Sequence, residues 1–248
     1  MSRVPVGIQM ASLRELCKRD LMGTLEEVAG MGYEGVEFAG LYGYDPSEVG
    51  DRVRDLGMAV IGNHLCREGN PDRLLEMCRE LGCPTVWGEC LPGGAMPRDR
   101  AGCLEMVRLA NQLGAILKKG GVQFYYHNHA EEFQRVDGRY IMDWLLEMTD
   151  PGCVVGEVDV MWTQYAGVDP ASYIRRHAGR VPYVHIKDMD AERDFTEVGR
   201  GVIDFDSIFE ACEGSVLRWY VVEQDTFKGD PIEGVAESLE YFRARGML

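Results

Sequence analysis

One pattern constrains this chain more than any other. A short β-rich run, a turn and a stretch with helical spacing of apolar residues recur eight times in order. The β-rich runs are Val4–Met10, Gly35–Ala39, Ala59–Leu65, Thr85–Cys90, Val122–His129, Val154–Val160, Val181–Asp188 and Leu217–Asp225. The helical stretches are Leu13–Met31, Pro46–Leu56, Pro71–Leu81, Arg98–Lys119, Tyr140–Met148, Pro170–Ala178, Phe205–Cys212 and Ile232–Arg245. Strands alternating with helices form βαβ units and a parallel sheet. Gly32, Gly57, Gly82 and Gly120 stand where helices end, which suits a C-cap. Pro46, Pro71, Pro170 and Pro231 stand where helices begin, where a missing N–H costs nothing. Eight such units in 248 residues match a (β/α)8 TIM barrel. The expected fold is α/β, one TIM-barrel domain over residues 1–248. A doubly wound open sheet is the alternative, but its usual Gly-rich phosphate loop after an early strand is missing.

Charge narrows the partners. The formal net charge is −15 and the pI about 4.8, which opposes binding to nucleic acid or to an anionic membrane. No stretch approaches the ~20 apolar residues of a membrane span. Met1–Met10 holds one arginine and no apolar core long enough for a signal peptide. The eight cysteines are scattered, with no CxxC pair, and read as buried thiols in a reducing cytosol. The expected location is therefore cytoplasmic.

In a TIM barrel, chemistry sits at the C-terminal ends of the strands. His64, His127, His129 and His185 fall near the ends of the third, fifth and seventh runs. His177, in a helical stretch, reads as a surface residue. Acids recur at the same level: Glu37, Glu89, Glu157, Asp159, Asp188, Glu223 and Asp225. Strand residues two apart share a face, so His127 pairs with His129, Glu157 with Asp159, and Glu223 with Asp225. Imidazoles and carboxylates converging on one mouth suit a divalent cation, which also relieves the repulsion between the carboxylates. Plainer readings stand beside this one. Glu89 and Glu157 suit internal ion pairs at least as well as metal ligation. His64 is evenly balanced between a substrate contact and a structural role. Trp87 and Trp162 either stack on a sugar face or fill the barrel top, with packing the better default.

Six segments in order resemble one family: MGYEGVEFAG (31–40), YYHNHAEEF (125–133), EVDVMW (157–162), VHIKDMD (184–190), EVGRGVIDF (197–205) and VVEQD (221–225). They resemble the sugar phosphate isomerase/epimerase group of xylose-isomerase-like TIM barrels. That group also holds ketose 3-epimerases, hydroxypyruvate isomerases, inosose dehydratase and endonuclease IV. The resemblance implies a divalent metal (Mn²⁺, Mg²⁺, Co²⁺ or Zn²⁺) on ligands from strands five to eight, commonly Glu, Asp, His and Glu. It places Asp159, His185 and Glu223 at the last three positions. The strand-five glutamate is where the chain departs, so His127 is taken as the fourth ligand, with His129 beside it as ligand or acid/base.

The resemblance further implies metal-assisted removal of a proton α to a carbonyl, giving an enediolate. Reprotonation elsewhere makes an isomerase or epimerase of a small carbohydrate, the leading expectation. Expulsion of water or an aglycone makes an inosose dehydratase-like lyase, the alternative that the H-x-H pattern suggests. Glu223, His129 and Lys187 are the expected catalytic residues. Glu37, His64, Trp162 and Asp188 are the expected substrate contacts. Gly199-Arg200-Gly201 reads either as an anion-binding turn or a plain βα turn, and an unphosphorylated sugar or sugar acid is favoured as substrate. A DNA-repair nuclease and a non-catalytic sugar-binding barrel are the competing classes; net charge opposes the first. Family members are often dimers or tetramers, but the sequence carries no interface signal of its own.

Overall fold

The computed structural model describes residues 3–66, 70–88 and 91–248. Eight parallel strands close into a barrel: β1 (Val6–Gln9), β2 (Gly35–Phe38), β3 (Ala59–Cys66), β4 (Thr85–Gly88), β5 (Gln123–His127), β6 (Val154–Asp159), β7 (Tyr183–Ile186) and β8 (Trp219–Val222). Closure comes from β1 pairing with β8, Val6 beside Tyr220 and Ile8 beside Val222. The helices between them are α1 (Arg14–Met31), α2 (Pro46–Asp55), α3 (Pro71–Leu81), α4 (Arg100–Lys119), α5 (Ile141–Met148), α6 (Val160–Tyr165), α7 (Pro170–Arg176), α8 (Phe205–Cys212) and α9 (Pro231–Arg243). No helix among the described residues is long and apolar enough to cross a membrane.

The expected punctuation has a physical counterpart. Each of the four prolines opens its helix, behind an Asp or Asn whose side chain accepts from first-turn N–H groups: Asp45, Asn70, Asp169 and Asp230. One glycine differs. Gly120 keeps a negative φ, and the left-handed residue is Gly121 at φ 82°. The sequence pattern also leaves out α6 and two short hairpins. One hairpin, Asp188–Met189 with Phe195–Thr196, folds directly beyond β7. Cys17, Cys78, Cys83, Cys103, Cys153 and Cys212 are buried free thiols. Glu89 and Cys90 lie outside the described residues.

Two apolar regions position the site. The larger lies between helices and sheet, where Leu21, Leu25, Val36, Phe124, Val184 and Phe242 are buried. The smaller plugs the barrel floor with Ile61, Tyr125, Tyr183 and Val221. Alternation along the strands then changes chemistry one step higher. Tyr125 gives way to His127, Tyr183 to His185, and Val221 to Glu223. An apolar plug therefore carries a buried polar layer.

Candidate active site

The register of β6 against β7 sets Asp159 beside His185, and that of β5 against β6 sets His127 beside Glu157. His127, Asp159, His185 and Glu223 each direct one ligand-capable atom into a space where all four lie within 4.8 Å of one another. All four residues are buried. His185 Nδ1 lies 3.0 Å from Glu223 Oε2. Asp159 Oδ1 accepts from the Trp162 N–H at 2.8 Å and so caps α6, while Oδ2 accepts no hydrogen bond. The Asp159 N–H donates to Asn128 Oδ1 at 3.1 Å, which ties the ends of β5 and β6 together.

The charge balance is unusual for a core. Among the buried carboxylates, four gather with the imidazoles inside the barrel, Glu37, Glu157, Asp159 and Glu223, beside one ammonium, that of Lys187. With neutral imidazoles, three negative charges would stand uncompensated, which a low-dielectric interior does not tolerate. Burial and the charge of His185 drive the His127 imidazole down to about 3, so it stays neutral and free to ligate. Burial opposes charge on Glu223, but Lys187 and His185 hold its carboxyl well below the usual range. Burial pushes the Asp159 carboxyl up against the pull of Lys187. Burial also opposes charge on His185, yet Glu157 and Glu37 hold its imidazole well above the ordinary value. A proton on His185 is one way to meet that demand; a cation displacing it is the other. The donor set, two imidazoles and two carboxylates with an unbonded Asp159 oxygen, fits a divalent first-row ion.

Lys187 is 1% exposed and caged by carboxylates: Nζ lies 2.8 Å from Asp225, 2.9 Å from Glu223 and 3.5 Å from Asp159. Burial disfavours the ammonium, but these carboxylates raise its pKa, so Lys187 remains charged. Its charge sits 5.6 Å from the ring centre of Trp162 and 5.5 Å from that of Phe195, on the hairpin beyond β7. His129 is exposed at the rim, edge-on to His127 at 5.0 Å and 5.9 Å from Trp162. The His129 N–H is fixed by Glu132 Oε2 at 2.8 Å. Trp162, His129 and Lys187 thus form one wall of the mouth. A groove of about 450 Å³ beside Asp225 is lined by Arg14, Thr226 and Phe227.

Several expectations are corrected. Glu37 has no exposed surface for a sugar to reach. Its carboxylate accepts from Gln9 at 2.7 Å and Tyr125 at 2.9 Å and touches His64. His64 turns its Nε2 to Glu37 and Glu157 while part of its side chain stays exposed. Asp188 is likewise not available to a substrate hydroxyl. Its Oδ1 accepts from the N–H groups of Met189 and Ile203, its Oδ2 from those of Gly199 and Gly201, at 2.9–3.2 Å. The same bonds consume the N–H groups that an anion at Gly199-Arg200-Gly201 would need. His177 is buried, not on the surface, 3.3 Å from Asp143. Glu157, read as an internal ion-pair residue, stands among three imidazoles: His64 at 3.4 Å, His127 at 3.3 Å and His185 at 3.2 Å.

The family model for xylose isomerase-like TIM barrels matches residues 25–245. An inosose dehydratase of Clostridium perfringens is 27% identical over 159 residues, covering 56% of this chain and 53% of its own. The inosose dehydratase of Geobacillus kaustophilus is 26% identical over an alignment covering 88% and 84%. The chain spans about half the length of most of the curated relatives it matches. Among solved structures, a sugar phosphate isomerase/epimerase from Parabacteroides distasonis superposes with a TM-score of 0.83 at 26% identity, covering 100% of this chain and 96% of its own. The closed barrel, the buried His–carboxylate mouth and the match along nearly the whole sequence agree: this chain belongs to the xylose isomerase-like TIM barrel family.

Proposed function

We propose that the chain removes a proton α to the carbonyl of a small, unphosphorylated polyhydroxy ketone and expels the neighbouring hydroxyl as water, acting as a dehydratase of an inosose-like compound. The observation that carries this reading is at the end of β5. A neutral buried imidazole, His127, stands where an epimerase pattern has its strand-five glutamate, and the exposed His129 lies edge-on to it. The relatives named inosose dehydratase add support and move the lyase ahead of the isomerase expected from sequence.

His127, Asp159, His185 and Glu223 would hold the divalent cation. When bound, the cation supplies Lewis-acid polarisation of the carbonyl. A His129 ring nitrogen takes the α-proton and, as imidazolium, returns it to the departing hydroxyl. The C–H and C–O bonds break, a C=C bond forms, water leaves, and no redox partner is required. Lys187 offers a fixed positive charge beside oxygen atoms that gain negative charge. Trp162 presents its ring to an apolar face of the substrate. The occupied N–H groups at Gly199 and Gly201 favour a substrate without phosphate.

A second reading, isomerisation or epimerisation, is favoured by the full-length likeness to the Parabacteroides structure. Incubation with inososes and ketoses in D₂O separates the two. Loss of water with an ultraviolet-absorbing product supports the dehydratase. Retained mass with deuterium uptake supports the isomerase. Absence of exchange with every substrate, in protein loaded with Mn²⁺ or Co²⁺, overturns both.

A further inference from the structure

We infer that the barrel holds a second cation site beside the first, formed by Glu37, His64, Glu157 and the Nε2 side of His185. The four residues each bring one ligand-capable atom within 4.8 Å of the others, on strands β2, β3, β6 and β7. Three of their spacings are those of ligands around one ion, while His64 Nε2 and Glu37 Oε1 stand in closer contact. Tetrahedral donors at about 2.0–2.1 Å from a metal stand about 3.4 Å from one another. His64 Nε2 lies 3.4 Å from Glu157 Oε2, His185 Nε2 lies 3.2 Å from Glu157 Oε1, and His185 Nε2 lies 3.4 Å from Glu37 Oε2.

Orientation supports the same conclusion. At these distances His64 Nε2 and both Glu157 oxygens are buried yet meet no partner at hydrogen-bonding angles. Groups paired only with each other would align donor to lone pair. Lone pairs converging on a shared point do not. Outside the cluster, Gln9 and Tyr125 donate to Glu37, the kind of support that orients a ligating carboxylate.

Charge adds a third reason. One divalent cation at the mouth leaves one of the three excess negative charges of the interior unmet. An imidazolium at His64 completes the balance; a second divalent cation does so when His185 gives up its ring proton, which adds one negative charge. Two imidazoles with two carboxylates select a borderline ion such as Zn²⁺ or Co²⁺. His185 belongs to both sets, with Nδ1 toward Glu223 and Nε2 toward Glu37 and Glu157. It gives up its ring proton to link the two. This inference rests on the proposed mouth site through that shared ring and through the charge count.

The test is a Co²⁺ titration of the chelator-stripped full chain. It is read by visible absorption and by elemental mass spectrometry, for the wild type, His64→Gln and Asp159→Asn. The expected result is two cobalt ions per chain in the wild type and one in each variant, with different absorption bands retained. Loss of a cation in His64→Gln but none in Asp159→Asn supports the second site and sinks the mouth site. A single cobalt in the wild type, kept in His64→Gln and lost in Asp159→Asn, overturns the second site and leaves His64 an ion-paired residue. Circular dichroism checks folding. If His64→Gln does not fold, Glu37→Gln carries the same comparison.

Discussion

Among the described residues, His and carboxylates gather in the barrel and on the outer ring, and the two places differ in one respect that matters. On the outer ring, Asp143 of α5 faces Tyr173 and His177 of α7 and its C-cap, with Glu147 and Arg176 alongside. Both Asp143 oxygens are engaged. Oδ1 accepts from Tyr173 at 3.1 Å and meets His177 at 3.3 Å; Oδ2 accepts from the Tyr140 N–H at 3.4 Å and meets Arg176 at 3.3 Å. In the barrel, Asp159 Oδ2, His127 Nδ1, His64 Nε2 and both Glu157 oxygens meet no hydrogen-bond partner. Donor atoms of the right type crowd together in both places. What separates them is that the outer cluster is closed upon itself, whereas the inner one is left incomplete. Buried polar atoms without partners cost free energy, so a fold that keeps several in one place points to something that completes them.

That contrast can be broken by experiment. The largest effect is expected from Asp159→Asn. Metal affinity at the mouth should fall by more than the roughly 10–100-fold that loss of a supporting partner costs, and turnover should fall with it. Unchanged cation content by elemental mass spectrometry would refute the ligand assignment. Next, His129→Gln should lower kcat by about 10²–10⁴-fold while leaving cation content untouched. A variant that instead raises only KM would make His129 a binding residue. On the outer ring, Asp143→Ala should cost about 3 kcal/mol in urea unfolding, with activity per folded molecule retained. If it removes a metal instead, the two clusters are alike and the contrast fails.

The smallest effect concerns pH. Burial opposes charge on Asp143, but His177, Arg176 and Tyr173 hold its carboxyl below its ordinary value. Its contribution is therefore present above the unfolded carboxylate pKa and lost as pH falls through the folded one. Wild-type stability should drop more steeply toward acid than that of Asp143→Asn. Parallel curves would mean that Asp143 is not ionised in the fold.

The barrel was legible in the sequence because its units announce themselves locally, by a β-rich run and an apolar helical stretch, with a proline opening four of the helices and a glycine near the end of four. The mouth was legible in part for a similar reason. Asp159, His185 and Glu223 sit at strand ends, and strand ends of a closed barrel converge. Depth was not legible. Glu37 and Glu223 look equivalent in one dimension, yet the first is wholly buried and accepts from Gln9 and Tyr125. Glu157 is visible as one half of an E-x-D alternation, but its three imidazole neighbours come from three other strands. The burial of His177 depends on Asp143, on another helix. The role of Asp188 depends on a loop that folds back from a dozen residues away.

That loop has a consequence for selectivity. In many barrels the turns after the seventh and eighth strands grip a phosphate. Here the Asp188 carboxylate fills the backbone cradle, and a Cβ at Gly201 would collide with it. A phosphorylated competitor must therefore displace an anion tethered to the protein itself, whose local concentration is at least of mM order. On the proposed reading, discrimination against such competitors lies in the backbone turn itself, whose Gly199 and Gly201 N–H groups Asp188 already occupies. Replacing one residue, Asp188→Gly, would empty the cradle and turn the exclusion into an invitation that free phosphate could answer.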